Sequence, residues 1–170
     1  MVATANAVPH FKRYPKSMQI NTSKIIHSTC AELWPLLTNS RMDVPGWFCL
    51  GVPQPKSCTL PNSIGGVGSE RRCISDRGTV VQQITEWRPP YRLRFKMVST
   101  DHNWGPCVDS LEEDFYLEDH ELGTRITRTT TIRATGLFPI LKEIGFYSGL
   151  KRVHLFVFAN WQNKMDNKTQ

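Results

Sequence analysis

The feature that most constrains this chain is the stretch from residue 139 to 164. Phe146, Leu150, Val153, Val157 and Trp161 recur at spacings of four, three, four and four, which is one face of a helix. Pro139 suits the first helical turn. About 26 residues in a helix span roughly 39 Å, the breadth of a whole sheet, so the apolar stripe needs a long partner. Leu155, Phe156 and Phe158 lie off the stripe and call for a second cover: the N-terminal arm, the loop carrying Trp47, or a homodimer or membrane contact through this helix. Gly145 and Gly149 weaken the helix and allow a bend.

The preceding segments supply the strands. Val67–Ser75 and Gly78–Trp87 flank the turn Asp76-Arg77, a hairpin signal. Arg88-Pro89-Pro90 interrupts, and Tyr91–Thr100 resumes with Leu93, Phe95 and Met97 on one face. Two further strands, 111–117 and 124–132, are joined by the polar turn Glu118-Asp119-His120-Glu121. Upstream, Met18–His27 reads as a strand. Ser28 and Thr29 can cap the helix that follows, with Glu32 three residues past Thr29, and Pro35 keeps it short. Residues 39–66 form a proline-rich loop with Trp47, Phe48 and Leu50, and residues 101–106 a second loop with Trp104. Long loops with apolar residues are often lids or binding loops. The pattern predicts an α+β domain over 18–165, an N-terminal arm over 1–17 and a short tail over 166–170.

One pair of charges breaks the apolar pattern. Glu113 sits among Leu111, Phe115 and Leu117, and Arg128 among Ile126, Thr130 and Ile132. Side chains alternate faces along a strand, and pairing Leu117 with Thr124 sets Glu113 directly opposite Arg128 on that face. A charge inside an apolar face is costly unless paired, so the pair reads either as a polar anchor in a cavity or as a structural ion pair; a one-residue slip would turn both to solvent.

A chain of 170 residues suits one domain. No run approaches the roughly 20 apolar residues of a membrane span, and the first residues lack the basic leader and apolar core of a signal peptide, so a cytoplasmic protein is expected. Cys30, Cys49, Cys58, Cys73 and Cys107 contain no C-x-x-C and are odd in number, which argues against a zinc site and a complete disulfide framework; reduced thiols are expected. The net charge of +6 is spread along strands rather than clustered, and no nucleic-acid-binding motif accompanies it, so nucleic acid is not an expected partner.

The order of strand, short helix, antiparallel meander and long C-terminal helix resembles the helix-grip fold of the START and Bet v 1-like (SRPBCC) superfamily, including its polyketide cyclase/dehydrase branch. The resemblance is carried by Ala31-Glu32-Leu33-Trp34-Pro35-Leu36-Leu37, by Gly66-Val67-Gly68-Ser69-Glu70-Arg71, by the run from Val81 through Trp87 and Pro90 to Leu93, and by Gly123-Thr124-Arg125-Ile126-Thr127-Arg128. It implies a curved sheet gripping the long helix, with a cavity between them for an apolar small molecule, and no single chemistry. The ring-hydroxylase branch is disfavoured because the chain has no His and carboxylate set resembling a metal triad. No cofactor is expected.

Site candidates follow from faces and loops. A Ser75–Gly78 hairpin pairing sets Arg71 opposite Gln82, and with Ile84 inward both join Glu113 and Arg128 as a polar cluster in an apolar cavity; ordinary sheet surface is the alternative. Phe95, Met97, Phe115 and Leu150 are its apolar walls. Trp47 and Trp104 are candidates to close the mouth, or simple loop anchors. His102 and His154 are the proton-transfer candidates, imidazole titrating near neutrality, with Tyr147 beside His154 at the helix edge. Glu113, Arg128 and His154 are the catalytic candidates. Two functions fit: a cofactor-independent cyclase, aldol/dehydrative or pericyclic, acting on a polyketide, terpenoid or lipid-like molecule, and a non-catalytic carrier. Preorganisation alone can supply on the order of 7–11 kcal/mol of barrier lowering, so a missing catalytic motif does not exclude an enzyme.

Overall fold

A computed structural model describes residues 17–44, 46, 49–61 and 65–168; Trp47 and the expected arm up to residue 16 fall outside them. Eight antiparallel strands form one sheet in the order β1-β8-β7-β6-β5-β4-β3-β2: β1 Met18–Ile26, β2 Ser40–Arg41, β3 Pro55–Thr59, β4 Glu70–Ser75, β5 Thr79–Arg88, β6 Arg92–Thr100, β7 Val108–His120 and β8 Gly123–Ala134. Two helices join them, α1 Cys30–Thr38 and α2 Pro139–Asp166. The sheet curls around α2, giving an α+β helix-grip fold. Register shifts within β3/β4, β5/β6 and β7/β8 supply the curvature.

Most boundaries agree with the sequence to within a few residues. The long helix runs two residues beyond its expected end. Thr29 caps α1 through a capping box, its Oγ1 accepting from the Glu32 backbone N–H and its own N–H donating to the Glu32 carboxylate. The proline-rich loop hides two short strands, β2 and β3. Pro55-Lys56-Ser57-Cys58-Thr59 has no apolar alternation, and its proline stands at the first strand position, where a missing N–H costs no ladder bond.

The β4/β5 register is the expected one, with Arg71 opposite Gln82. The β7/β8 register is not. His120 pairs with Gly123 around the two-residue turn Glu121-Leu122, so Phe115, not Glu113, lies opposite Arg128. Gly123 makes this turn: its φ is +128°, and a Cβ there would meet the Ile26 carbonyl oxygen at 2.3 Å. The shift is two residues, an even number, so every side chain keeps its face.

The thiol expectation is also corrected. Cys58 and Cys73 are direct cross-strand neighbours on β3 and β4 and are joined by a disulfide. Neither helix is long and apolar enough to cross a membrane. Phe156 and Phe158 are buried in the main core with Leu33, Leu36 and Leu37 of α1 and Cys49 of the following loop. That cluster is the second cover which α2 requires. Leu155 stays 40% exposed.

Candidate functional site

The inner face of the sheet and the inner stripe of α2 enclose a cavity of about 100 Å³ that opens to solvent. A single water needs on the order of 10–15 Å³, so the space suits a small molecule. Its apolar walls are Leu111 and Phe115 of β7 and Leu150, Val153, Val157 and Trp161 of α2. Val52, Pro53 and Pro55 close one side and are only half-buried, and Ile74 beside them is exposed, so the mouth lies at this edge. Gly149 allows α2 to pass under the same loop: a Cβ there would stand 2.1 Å from Val52 Cγ2 and 2.9 Å from the Cys49 carbonyl oxygen.

Three charged side chains line this apolar space. Arg128 Nε and Nη2 donate to Glu113 Oε2 and Oε1 at 2.8 and 2.7 Å, a bidentate pair. The two partners are diagonal rather than opposite, and the arginine spans the extra step over the Phe115 ring, its Cζ 5.1 Å from the centroid. Arg71, 4% exposed, donates from Nη1 to Gln82 Oε1 at 2.7 Å and to Cys73 Sγ at 3.0 Å, and stacks over Phe95 at 4.6 Å. Its Nε has no partner among the described residues. Burial pulls the Arg71 guanidinium down to about 10, Glu113 acting against the shift and Arg128 with it. Two guanidiniums thus share one carboxylate. The buried cluster carries a net charge of +1.

Further donors around the cavity are unpartnered among the described residues: Ser40 Oγ, Trp104 Nε1 and Trp161 Nε1 are buried, and none makes a hydrogen bond to them. An unpartnered buried donor costs about 1–3 kcal/mol, and here four gather around one space.

His102 and Trp104 line the cavity, their rings stacked at 5.3 Å. Ser75 Oγ is 3.4 Å from His102 Nε2. Burial lowers the His102 pKa, so the ring is neutral at pH 7, with Asp101 and Asp76 opposing the shift. Gln82 and Phe95 act one step back, as the groups that hold Arg71.

Three candidates are placed elsewhere. His154 does not line the cavity; fully buried, it lies between β1 and β8, its Nδ1 2.9 Å from Thr22 Oγ1 and its Nε2 2.8 Å from Thr130 Oγ1. Burial, with Arg128 and Lys151 adding to it, pushes its pKa far below the usual imidazole range. Tyr147 is 44% exposed on the outer side of α2, one position off the inner stripe. Met97 packs with Ile20, Val108, Leu111, Ile132 and Leu150, behind the cavity wall. No sequence signal marked the part of the wall built by Met42, Val52, Pro53 and Cys58, because they meet the cavity only through the chain path of the loop and of β3. Among the described residues no group of His, Cys, Asp and Glu is arranged to hold a metal ion.

A curled sheet gripping a long helix over a polar-anchored apolar cavity is a helix-grip fold. Solved structures share it. The chain is similar to the Zhui aromatase/cyclase from Streptomyces (TM-score 0.66, 12% identity, covering 91% of this chain and 97% of that one), to a START superfamily protein from Mycobacterium smegmatis (0.63, 10%, 88% and 97%) and to a protein from Thermus thermophilus (0.65, 14%, 90% and 100%). The fold is that of the START and Bet v 1-like proteins. No protein-family model and no curated protein matches the chain by sequence.

Proposed function

We propose that the chain binds an apolar small molecule rich in acceptor oxygens, of the polyketone type, and promotes its cyclisation. The observation that carries this is the set of unpartnered donors around an apolar space, Arg71 Nε foremost. A buried net positive charge is stabilised by an anion or a developing oxyanion, and an enolate oxygen at Arg71 supplies one. The apolar remainder lies along Phe115, Val153, Val157 and Trp161. In an aldol closure neutral His102 takes one proton from a methylene between two carbonyls, the enolate carbon bonds to a second carbonyl of the same chain, and the alkoxide takes that proton back; the remaining methylene proton is then removed as the C–OH bond breaks, so that a C=C bond forms and water leaves. Arg71 holds the enolate oxygen. Glu113 is committed to Arg128 and serves as the fixed counter-charge that keeps both arginines in place.

The alternative is a carrier that returns its ligand unchanged. It is favoured by the placement of His154, which takes one of the two expected proton shuttles out of the cavity. Incubation with a linear poly-β-ketone thioester, followed by mass spectrometry of what the protein retains, separates the two. A retained product one water lighter supports the cyclase, unchanged retention assigns the carrier, and no retention by a protein whose Arg71→Met variant behaves identically overturns both.

A further inference from the structure

The largest cluster of exposed apolar side chains lies away from the cavity, at the start of α2. Leu137, Phe138, Ile140, Leu141 and Ile144 are 56–80% exposed, on the connection from β8 and the first turns of the helix. Tyr147 and Leu155 continue the same outer side at 44% and 40%. Together they make the start of α2 an exposed apolar edge. Arg152 is exposed further along α2, Lys151 beside it is half-buried with its ammonium donating to the Asn21 carbonyl oxygen of β1, and the Lys142 ammonium donates to the Thr135 carbonyl oxygen at 3.1 Å, next to Leu137. Along 137–155 the one carboxylate is Glu143, and it is turned inward, 7% exposed, accepting from the Ala134 backbone N–H.

We propose that this edge docks on an anionic lipid surface. Apolar side chains with cations beside them and no facing acid form the interfacial pattern that inserts shallowly among headgroups. A second copy is a poorer occupant, because a two-fold contact sets the same patch against itself and offers Arg152 no carboxylate from residues 137–155, where Glu143 is turned inward. Docking also has a geometric consequence. Phe146, two residues past Ile144, packs edge-on against Trp104 at 6.1 Å, and Leu150 lines the cavity, so the docked edge lies within two helical turns of the ligand space. The docking itself does not depend on the cyclase assignment.

The test is flotation of the full chain with vesicles of phosphatidylcholine alone and with about a third phosphatidylserine, together with the mass of the protein in solution. Binding is expected to the anionic vesicles and to fall steeply between low salt and about 0.5 M salt. Leu137→Ser/Phe138→Ser, at sites too exposed to affect folding, should weaken it at least 10-fold, and Arg152→Gln by roughly 5-fold. Failure to float with anionic vesicles overturns the proposal, as does equal binding to the neutral ones. So does a dimer in solution that the Leu137→Ser/Phe138→Ser variant dissolves, which would assign the patch to a second copy. A protein that floats but neither retains nor alters the polyketone keeps the docking and loses the proposed function.

Discussion

Arg71 and Arg128 are the same residue type on the same sheet face with opposite energetic standing. Arg128 shares a bidentate carboxylate, whereas Arg71 has a buried Nε without a partner among the described residues. Removing one member of a buried pair leaves an uncompensated charge, so Glu113→Gln should lower unfolding stability by about 3–5 kcal/mol. Arg71→Met trades an under-paired charge for an apolar side chain and is expected to cost no more than about 1 kcal/mol while abolishing ligand retention. Denaturant melts of the two variants side by side check the contrast. His154 gives a second prediction. Its folded pKa is depressed, so its contribution is fully present above the unfolded value near 6.5 and is lost as pH falls below it, when only the unfolded state takes up the proton. Wild type should lose about 2 kcal/mol more than His154→Gln between pH 8 and pH 5, by urea melts at each pH. The charge pair was legible in the sequence because a two-residue error in register conserves faces. The role of His154 was not: position on the helix wheel does not say that Thr22 and Thr130 reach it from two strands distant in sequence.

At the scale of elements, the chain is held by local devices that sequence exposes well and by crossings that it does not. The Thr29 capping box belongs to the first kind; Thr29→Ala should cost about 1 kcal/mol, measured by the same melts. The loop over the cavity belongs to the second. Asn160 of α2 accepts from the backbone N–H groups of Asp43 and Val44 at 2.9 Å each and donates to the Phe156 carbonyl oxygen. Gly149 admits the same loop further along. Gly149→Ala is therefore expected to push Val52 off α2, widening the mouth and weakening ligand retention by at least 10-fold with α2 itself intact, as read by titration and far-ultraviolet circular dichroism. The strands β2 and β3 were illegible because they are short and without apolar alternation. The Cys58–Cys73 bond depends on the pairing of β3 with β4 and was hidden with β3.

At the scale of the molecule, the helix-grip architecture was readable because one long amphipathic helix after a run of alternating strands leaves few ways to bury its stripe. Which side of that helix stays bare was not readable: Leu155, Phe156 and Phe158 pointed to its second half, whereas α1 covers Phe156 and Phe158 there and the uncovered side chains are those at its start. The sheet order has a consequence for how the chain is made. Strands β2 to β8 pair with their neighbours in sequence, but β1 pairs with β8, Met18 against Ile132. The first strand to leave the ribosome therefore waits for the last one. Closure of the grip is the most non-local step in the molecule and should set its folding rate, with β1 kept from other partners for the whole length of the meander's synthesis.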